Sequence, residues 1–201
     1  MHQHFTSLLQ SGEGADVTFE VGGEIFAAHR CILASRSTVF KAELLGPMKA
    51  ELFGHMKEGT TTSAIHIDDM EAKVFRLLLS FIYSDDEDEE DNADDAEVMW
   101  QHLLVAADRY DIQRLRLMCE EKLCRYINVT TVAALLALAE QHHCKGLKEA
   151  CLDFLDSPAN LQEVFAAGGL NYLGSSCPSV LIDLIAKLES LKHDKMITDD
   201  E

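Results

Sequence analysis

The sequence predicts an α+β protein in which a small three-stranded sheet, capped by helices, precedes a tail made of helices alone. Two observations predict this class. Residues 16–40 hold two short alternating segments around a Gly-Gly pair, the pattern of a β-hairpin that leads into a helix. From residue 72 onwards, apolar residues recur mainly at helical spacing. Because strands are grouped before helices instead of alternating with them, the class is α+β.

The hairpin is predicted from residue alternation and from turn chemistry. Apolar residues occupy every second position of residues 17–21, as on the buried face of a strand. Gly22 and Gly23 follow, and two glycines suit a tight turn because its central residues need positive φ. The apolar pattern resumes at residues 25–26, and helical spacing begins after residue 30.

Short helices and a third strand surround this hairpin in the sequence. Residues 6–10 predict a leading helix whose small apolar stripe must be buried. Ser37 is the predicted N-cap of a later helix. Residues 64–67 predict the third strand, and Asp68 followed by Glu71 has capping-box spacing for the apolar helix after it.

Helical spacing continues towards the C-terminus. Two helices are predicted within residues 98–123, and a third, capped by Asn128 or Thr130, within residues 132–140. Gly146 is predicted to separate that helix from the next. Later boundaries are predicted at three dipeptides, which are Ser157-Pro158, Gly168-Gly169 and Cys177-Pro178.

The charge of the chain disfavours two classes of partner. The 201 residues carry a formal charge of −18, and residues 85–97 hold ten carboxylates and no base, which leaves −8 for the rest. A solvated acidic loop is the favoured interpretation of this run, ahead of a docking segment. Direct binding to nucleic acid or to anionic membranes is disfavoured because their phosphates repel an acidic chain. With no apolar run of membrane-spanning length and no signal peptide, we expect a soluble protein of the nucleus or cytoplasm.

No catalytic or metal-binding pattern is recognisable. The six cysteines include no Cys-x-x-Cys pair and are predicted to be reduced thiols on helix faces. His142, His143 and Cys144 are adjacent, but neighbouring residues of a helix point in different directions, so no metal site is predicted. His29 is expected to hydrogen-bond the backbone instead of acting as a base. We therefore expect no enzymatic activity, no cofactor and no metal.

Four segments of the chain carry a family resemblance. In chain order they are ADVTFEVGGEIFAAHRCILASRSTVFKAEL, AKVFRLLLSFIYSD, HLLVAADRYDIQRLRLMCEEKLC and INVTTVAALLALAEQHHCKGLKEACLDFL. The first three resemble the BTB/POZ domain of proteins in which a MATH domain precedes the BTB domain, and the fourth resembles the BACK-like extension of ubiquitin-ligase adaptors. The resemblance implies a BTB/POZ domain at residues 1–126, with the acidic loop at 85–97, and an all-α BACK-like extension at 127–201.

The resemblance implies homodimerisation, or pairing with related BTB proteins, through the leading helix and the first long helix. Phe5, Leu8 and Ile32 would be apolar contacts, and Asp16 with Arg30 would match the charged pair near the dimer pocket. For Phe5 and Leu8 the alternative is burial within the chain. For the charged pair, a local cap or salt bridge is an equal alternative, and a surface pair contributes little energy.

The resemblance also implies binding to the N-terminal domain of a cullin. Family adaptors use a hydrophobic-x-Glu motif before the third strand, and the matching residues are Met56, Lys57 and Glu58. A groove near Asp108 and Tyr110 would complete the contact. As a bare pattern the motif is weak, and an ordinary loop is the alternative.

The sequence departs from the family pattern in two places. Residues 41–48 (KAELLGPM) are followed at once by residues 49–56 (KAELFGHM), which indicates a tandem duplication where the cullin would dock. About 15 residues precede Asp16, too few for a MATH domain, so substrate recruitment is unexplained. The acidic loop and the missing MATH domain favour an alternative function, a dimerisation scaffold or regulator that pairs with full-length MATH-BTB proteins without recruiting substrate. The adaptor-like helical tail and the motif at residues 56–58 favour the cullin adaptor.

Overall fold

A computed structural model describes residues 2–46, 64–85, 96–182 and 184–185 of the chain. The described residues form two compact units, and the chain passes from the first to the second between Leu117 and Met118. Each unit is described separately below. The domain boundary predicted at residue 126 stays a prediction.

The first unit combines a small sheet with helices, which confirms the predicted α+β class. The strands are β1 (Val17–Val21), β2 (Glu24–Ala28) and β3 (Ile65–Ile67). The helices are α1 (His2–Ser11), α2 (Arg30–Arg36), α3 (Thr38–Leu45), α4 (Ala72–Ser84), α5 (Ala96–Arg109) and α6 (Gln113–Cys124), the last of which continues into the second unit.

The sheet has the strand order β2-β1-β3. Strands β1 and β2 pair in antiparallel fashion through the predicted hairpin, and both turn glycines, Gly22 (φ 56°) and Gly23 (φ 81°), have positive φ. Strand β3 pairs with β1 in parallel, so the chain between them, which includes α2 and α3, must return to the same end of the sheet. Phe19 lies at the centre of β1, where it pairs with Phe26 on one side and Ile65 on the other.

An aromatic cluster forms the centre of the first unit's core. The ring of Phe19 lies 5.2 Å from Phe75 and 5.8 Å from Phe40, centroid to centroid. On its far side Phe40 stacks on Tyr110 at 4.3 Å with an interplanar angle of 12°. Since aromatic pairs at these distances stabilise a core beyond their buried area, this cluster joins the sheet, α3, α4 and the end of α5.

Ser37 has the capping role that the sequence predicts. Its Oγ accepts a hydrogen bond from the backbone amide of Phe40 at 3.0 Å, which satisfies an amide in the first turn of α3. The same hydroxyl donates to the backbone carbonyl of Tyr110 at 2.5 Å. Ser37 therefore caps α3 and also fixes this helix to the end of α5.

The capping box predicted at Asp68 and Glu71 is wrong. Helix α4 begins at Ala72, its N-cap residue is Glu71, and no side chain makes a capping hydrogen bond there. The Glu71 carboxylate is directed towards α5 instead, where Oε1 lies 3.4 Å from Nδ1 of His102. The Glu71 carboxylate therefore contacts a side chain of another helix, whereas the local pattern predicted that it would hydrogen-bond the backbone.

The second unit is helical in its described residues, as predicted. It continues from the end of α6 through α7 (Val132–Gln141), α8 (Lys145–Leu155), α9 (Pro158–Ala166) and α10 (Gly169–Ser176), and helical residues resume at Pro178. Pro158 is the first residue of α9, and Gly168 (φ 81°) separates α9 from α10, so these predicted boundaries are confirmed. The last predicted helix continues beyond the described residues.

Two predicted boundaries around α7 are corrected. Gly146 does not separate the helices, because it lies inside α8. The break is made by His143, which has the left-handed φ of 55°. At the other end of α7 the N-cap residue is Thr131, and Asn128 supports the turn by accepting hydrogen bonds at Oδ1 from the amides of Thr130 (2.8 Å) and Thr131 (3.2 Å).

Candidate protein-binding surfaces

The structure brings two of the predicted dimer contacts together in one groove of 230 Å³, which we call the Phe5 groove. Phe5 from α1 and Ile32 from α2 lie on its walls, and Phe5 keeps 42% of its surface exposed. The full lining is Phe5, Ile32, Ser35, Arg36, Ile82, Tyr83 and Asp85. Apolar side chains from three separate helices therefore line the groove, and Phe5 and Ile32 are the more accessible of them.

Helix α1 is held against the body of the first unit by α4. Leu8 is half-buried in this arrangement, whereas Phe5 is exposed. Burial within the chain therefore accounts for part of the apolar stripe of α1 and leaves Phe5 uncovered. The role of both residues in a dimer stays a prediction.

A buried hydrogen-bond network supports one wall of the Phe5 groove. Tyr83 Oη accepts from the backbone amide of His29 at 2.8 Å and lies 2.8 Å from Nδ1 of the same residue. Nε2 of His29 lies 2.9 Å from the backbone carbonyl of Glu13. Because a carbonyl can only accept, Nε2 carries a proton, and in the neutral imidazole Nδ1 then accepts from the tyrosine hydroxyl. As expected from the sequence, the His29 side chain hydrogen-bonds the backbone.

Asp16 and Arg30 form two hydrogen bonds that join the start of β1 to the start of α2. Asp16 Oδ1 accepts from the backbone amide of Arg30 at 2.8 Å, and Arg30 Nε donates to the backbone carbonyl of Asp16 at 3.1 Å. The carboxylate thus satisfies the first amide of α2, whose N-cap residue His29 makes no side-chain capping bond. This is the local cap that the sequence allows, and a role in a dimer interface stays a prediction.

Asp85 forms ion pairs with two arginines at the rim of the Phe5 groove. It follows α4 in the left-handed conformation, with φ 59°, and its amide donates to the carbonyl of Phe81 at 2.8 Å. Its two carboxylate oxygens pair with Arg36 and Arg114. This cluster is absent from the sequence prediction, because its members lie far apart in the chain.

The predicted cullin contacts differ in accessibility. Asp108 is exposed. By contrast, only 3% of the Tyr110 surface is exposed, because its ring is stacked on Phe40 in the core. A partner would therefore meet Asp108 and not the face of the tyrosine. The other predicted contacts, Met56, Lys57 and Glu58, lie outside the described residues, as does most of the acidic loop.

Burial raises the pKa of Tyr83 and of Tyr110 to about 12, from an ordinary value of 10.0. The folded chain then keeps protons that the unfolded chain loses near pH 10. We expect these groups to leave the free energy of unfolding unchanged below about pH 10 and to lower it between about pH 10 and 12, by up to about 3 kcal/mol for each tyrosine. Urea unfolding across this range, followed by circular dichroism, measures the slope.

The Tyr110→Phe variant removes one of the two tyrosine hydroxyls and should reduce the alkaline loss by up to about 3 kcal/mol. The loss that remains comes from Tyr83 and from Cys151, because burial also raises the pKa of the Cys151 thiol to about 12. Tyr172→Phe is the matched control, since this tyrosine is 48% exposed. An alkaline slope that is the same in Tyr110→Phe as in the parent chain would show that Tyr110 does not titrate in this way.

The described residues contain neither a metal-ligand cluster nor a membrane span. In that part of the chain, no three histidine, cysteine, aspartate or glutamate side chains lie close enough together to hold a metal ion. Its helices are all too short or too polar to cross a bilayer. The six cysteines are described residues, and none forms a disulfide.

Comparison with known families agrees with this geometry. The family model described as BTB/POZ domain matches residues 5–127, more than half of the chain. The chain belongs to the BTB/POZ family. A second model, described as BPM/SPOP, BACK domain, matches residues 131–185, so this BTB/POZ chain carries a BACK-type helical extension, as the resemblance implied.

The curated relatives are BTB/POZ and MATH domain-containing proteins. The chain is 42% identical over 191 residues to BTB/POZ and MATH domain-containing protein 3 of Arabidopsis thaliana, which covers 92% of this chain and 45% of the relative. It is 40% identical over 192 residues to BTB/POZ and MATH domain-containing protein 4 of the same plant. That alignment covers 90% of this chain and 39% of the relative. This BTB/POZ chain therefore spans less than half the length of these relatives.

A solved structure, the BTB domain of zebrafish PATZ1, aligns with a TM-score of 0.47 and 21% identity, covering 61% of this chain and 87% of that one. Membership of the BTB/POZ family makes the chain a protein-interaction module of the adaptor type. Proteins of this family are generally non-catalytic.

Proposed function

We propose that this BTB/POZ chain is a homodimeric adaptor of a cullin-RING ubiquitin ligase. Two copies associate through the surface around the Phe5 groove, and each copy binds the N-terminal domain of a cullin. The observation that carries the proposal is the match to the BTB/POZ and BACK families together with an exposed apolar groove on the first unit. The contribution is geometric, since a dimer presents two ligase arms to one target and raises their effective concentration.

The Phe5 groove supports the dimer part of this proposal. A two-fold interface uses one surface patch twice, so a groove next to a projecting aromatic side chain can be self-complementary. Phe5, on the wall of the groove, is 42% exposed and the half-buried Ile32 adds aliphatic surface, whereas Ile82 is 3% exposed and only completes the lining. Asp85 pairs with Arg36 and with Arg114, so a partner copy that covers this rim does not meet an unpaired carboxylate.

The cullin part of the proposal rests on the sequence motif and on one exposed side chain. Met56 would fill an apolar pocket of the cullin, and Glu58 would fix the loop by accepting hydrogen bonds. Asp108 is exposed and therefore available to the proposed contact, whereas Tyr110 would act through the packing that holds this turn in place.

The repeated octapeptide favours a second candidate function. Residues 49–56 repeat residues 41–48 and so add eight residues where the cullin would dock. This insertion can displace the motif without harming the fold, because a longer loop costs little entropy. In that case the chain would be a dimerisation scaffold that pairs with full-length MATH-BTB proteins and recruits no substrate.

A binding assay with purified cullin N-terminal domain separates the two candidates. We expect the intact chain to bind, and Glu58→Ala to weaken binding about ten- to hundredfold, because hydrogen bonds to a charged group are worth about 1.5–3 kcal/mol. Glu121→Ala is the control, since this glutamate side chain is 74% exposed and lies outside the proposed contact.

Deletion of residues 49–56 is the decisive variant. It joins Met48 to Lys57 and Glu58, so a hydrophobic-x-Glu motif is kept while the octapeptide is lost. Binding by the intact chain supports the adaptor. No binding by the intact chain, with binding gained after the deletion, supports the scaffold.

A further inference from the structure

A second groove, of 510 Å³, lies on the first unit between the β3–α4 turn and α5, and we call it the acidic groove. The turn supplies four successive residues because β3 ends at Ile67 and α4 begins at Ala72. Helices α4 and α5 supply the rest. Its lining is Asp68, Asp69, Met70, Glu71, Val74, His102, Val105, Ala106 and Arg109.

The floor of the acidic groove is apolar. Val74 and Ala106 are buried, with 1% and 0% of their surfaces exposed, so the space between the turn and α5 is closed off from below. Val105 is 38% exposed and Met70 is half-buried, which leaves aliphatic surface open to a ligand. A single aliphatic side chain of a partner fits such a floor.

The rim of the acidic groove is negatively charged. The Asp69 side chain is 78% exposed and that of Glu71 is 65% exposed, and the exposed Asp68 adds a third carboxylate. The lining contains one arginine, Arg109, and no lysine. With His102 neutral, the three carboxylates and this arginine give the lining a formal charge of −2. In the Phe5 groove, by contrast, Arg36 and Asp85 cancel.

We propose that the acidic groove binds a segment of a partner protein in which one aliphatic side chain is flanked by lysine or arginine. The aliphatic side chain covers Val105 and Met70, and the basic side chains meet the three carboxylates of the turn. Charge complementarity selects this partner, because acidic segments are repelled and purely apolar ones leave the rim unpaired. Arg109 lies between Asp108 and Tyr110 in the chain, so the acidic groove adjoins the proposed cullin contact, but the proposal itself requires neither dimerisation nor cullin binding.

Arg109 acts as an internal competitor for the same carboxylates. Its Nη1 atom lies 3.3 Å from Asp69 Oδ2, where a basic side chain of the partner would bind. The guanidinium also lies 5.7 Å from the centre of the Tyr110 ring, so it is held at this end of the groove. Removal of Arg109 is therefore expected to strengthen binding of a basic segment, a result that a purely structural role does not produce.

A peptide array probed with the full chain tests the proposal. The ten-residue peptides vary in the sign of their flanking charges and carry leucine, isoleucine, methionine, valine or serine at the centre. We expect binding to concentrate in peptides with an aliphatic centre and basic flanks, and to weaken as salt is raised. Absence of binding, or binding without this bias, overturns the proposal.

Variants locate the site with the strongest peptide of the array, by fluorescence anisotropy. Val105→Arg should weaken binding about tenfold or more, whereas Leu117→Arg places the same charge on an apolar residue that is 59% exposed outside the groove and should change it less than about twofold. The double variant Asp68→Asn, Glu71→Gln should weaken it severalfold, and Arg109→Ala should strengthen it severalfold.

Thermal melting of each variant excludes unfolding as the cause of a loss. Equal effects of Val105→Arg and Leu117→Arg would overturn the assignment to the acidic groove, and so would weaker binding by a folded Arg109→Ala chain. Cullin binding, measured on the same Val105→Arg protein, shows whether the two proposals fail together or separately.

Discussion

Replacement of Ile32 by lysine is expected to convert a dimer of this BTB/POZ chain into monomers. Ile32 lies in the Phe5 groove beside Phe5 and Ile82, where the proposed interface covers apolar surface. In a two-fold dimer the substitution introduces two charges into that interface, and each would lose its hydration without gaining a partner. Sedimentation velocity at micromolar concentration should show the mass of the parent dimer fall by half.

The matched control for this variant is Ile25→Lys. Ile25 is 62% exposed on β2 and does not line the Phe5 groove, so the same substitution there should leave the mass unchanged. A folded Ile32→Lys chain that still sediments as a dimer would place the interface elsewhere. A parent chain that is monomeric at micromolar concentration would contradict the dimer itself.

Truncation of Phe40 to alanine is expected to have the largest effect on stability. Phe40 is fully buried, packs edge-on against Phe19 and stacks on Tyr110, so its removal opens a cavity between the sheet and α5. Such truncations cost about 3–5 kcal/mol, a large part of the total stability of a small domain. Urea unfolding followed by circular dichroism should show a clearly lower midpoint.

Phe165→Ala makes the same chemical change on a side chain that is 69% exposed, and it should shift the unfolding free energy by less than about 0.5 kcal/mol. Tyr110→Phe keeps the stacked ring and separates the loss of ring packing from the loss of a hydroxyl. A Phe40→Ala chain as stable as the Phe165→Ala chain would show that the aromatic cluster does not stabilise the first unit.

Several elements could be predicted from the sequence because their signals are local. Two adjacent glycines allow the positive φ values of the hairpin turn, and a serine before an apolar helix caps it, as Gly22, Gly23 and Ser37 do here. Pro158 and Gly168 are local signals too. Proline fixes its own φ and suits the first position of α9, and glycine allows the positive φ found between α9 and α10.

Two other local signals led to wrong predictions. The Glu71 carboxylate lies near His102 on α5 instead of capping α4, so a group distant in the chain competed with the cap. Gly146 lies inside α8, and the break falls three residues earlier at His143, which adopts a left-handed φ although it is not a glycine. A capping box or a helix-ending glycine is a preference worth about 1 kcal/mol, which tertiary contacts readily exceed.

The residue pattern alone determined that a hairpin with a third strand precedes a long series of helices, and it indicated the BTB/POZ family. The tertiary structure decided which surfaces result. Phe5, Ile32 and Ile82 are brought into one groove, and the carboxylates of residues 68–71 are placed along α5, only when separated segments pack together. Backbone preference acts between near neighbours in the chain, whereas a binding surface is made by side chains that the packed core brings together.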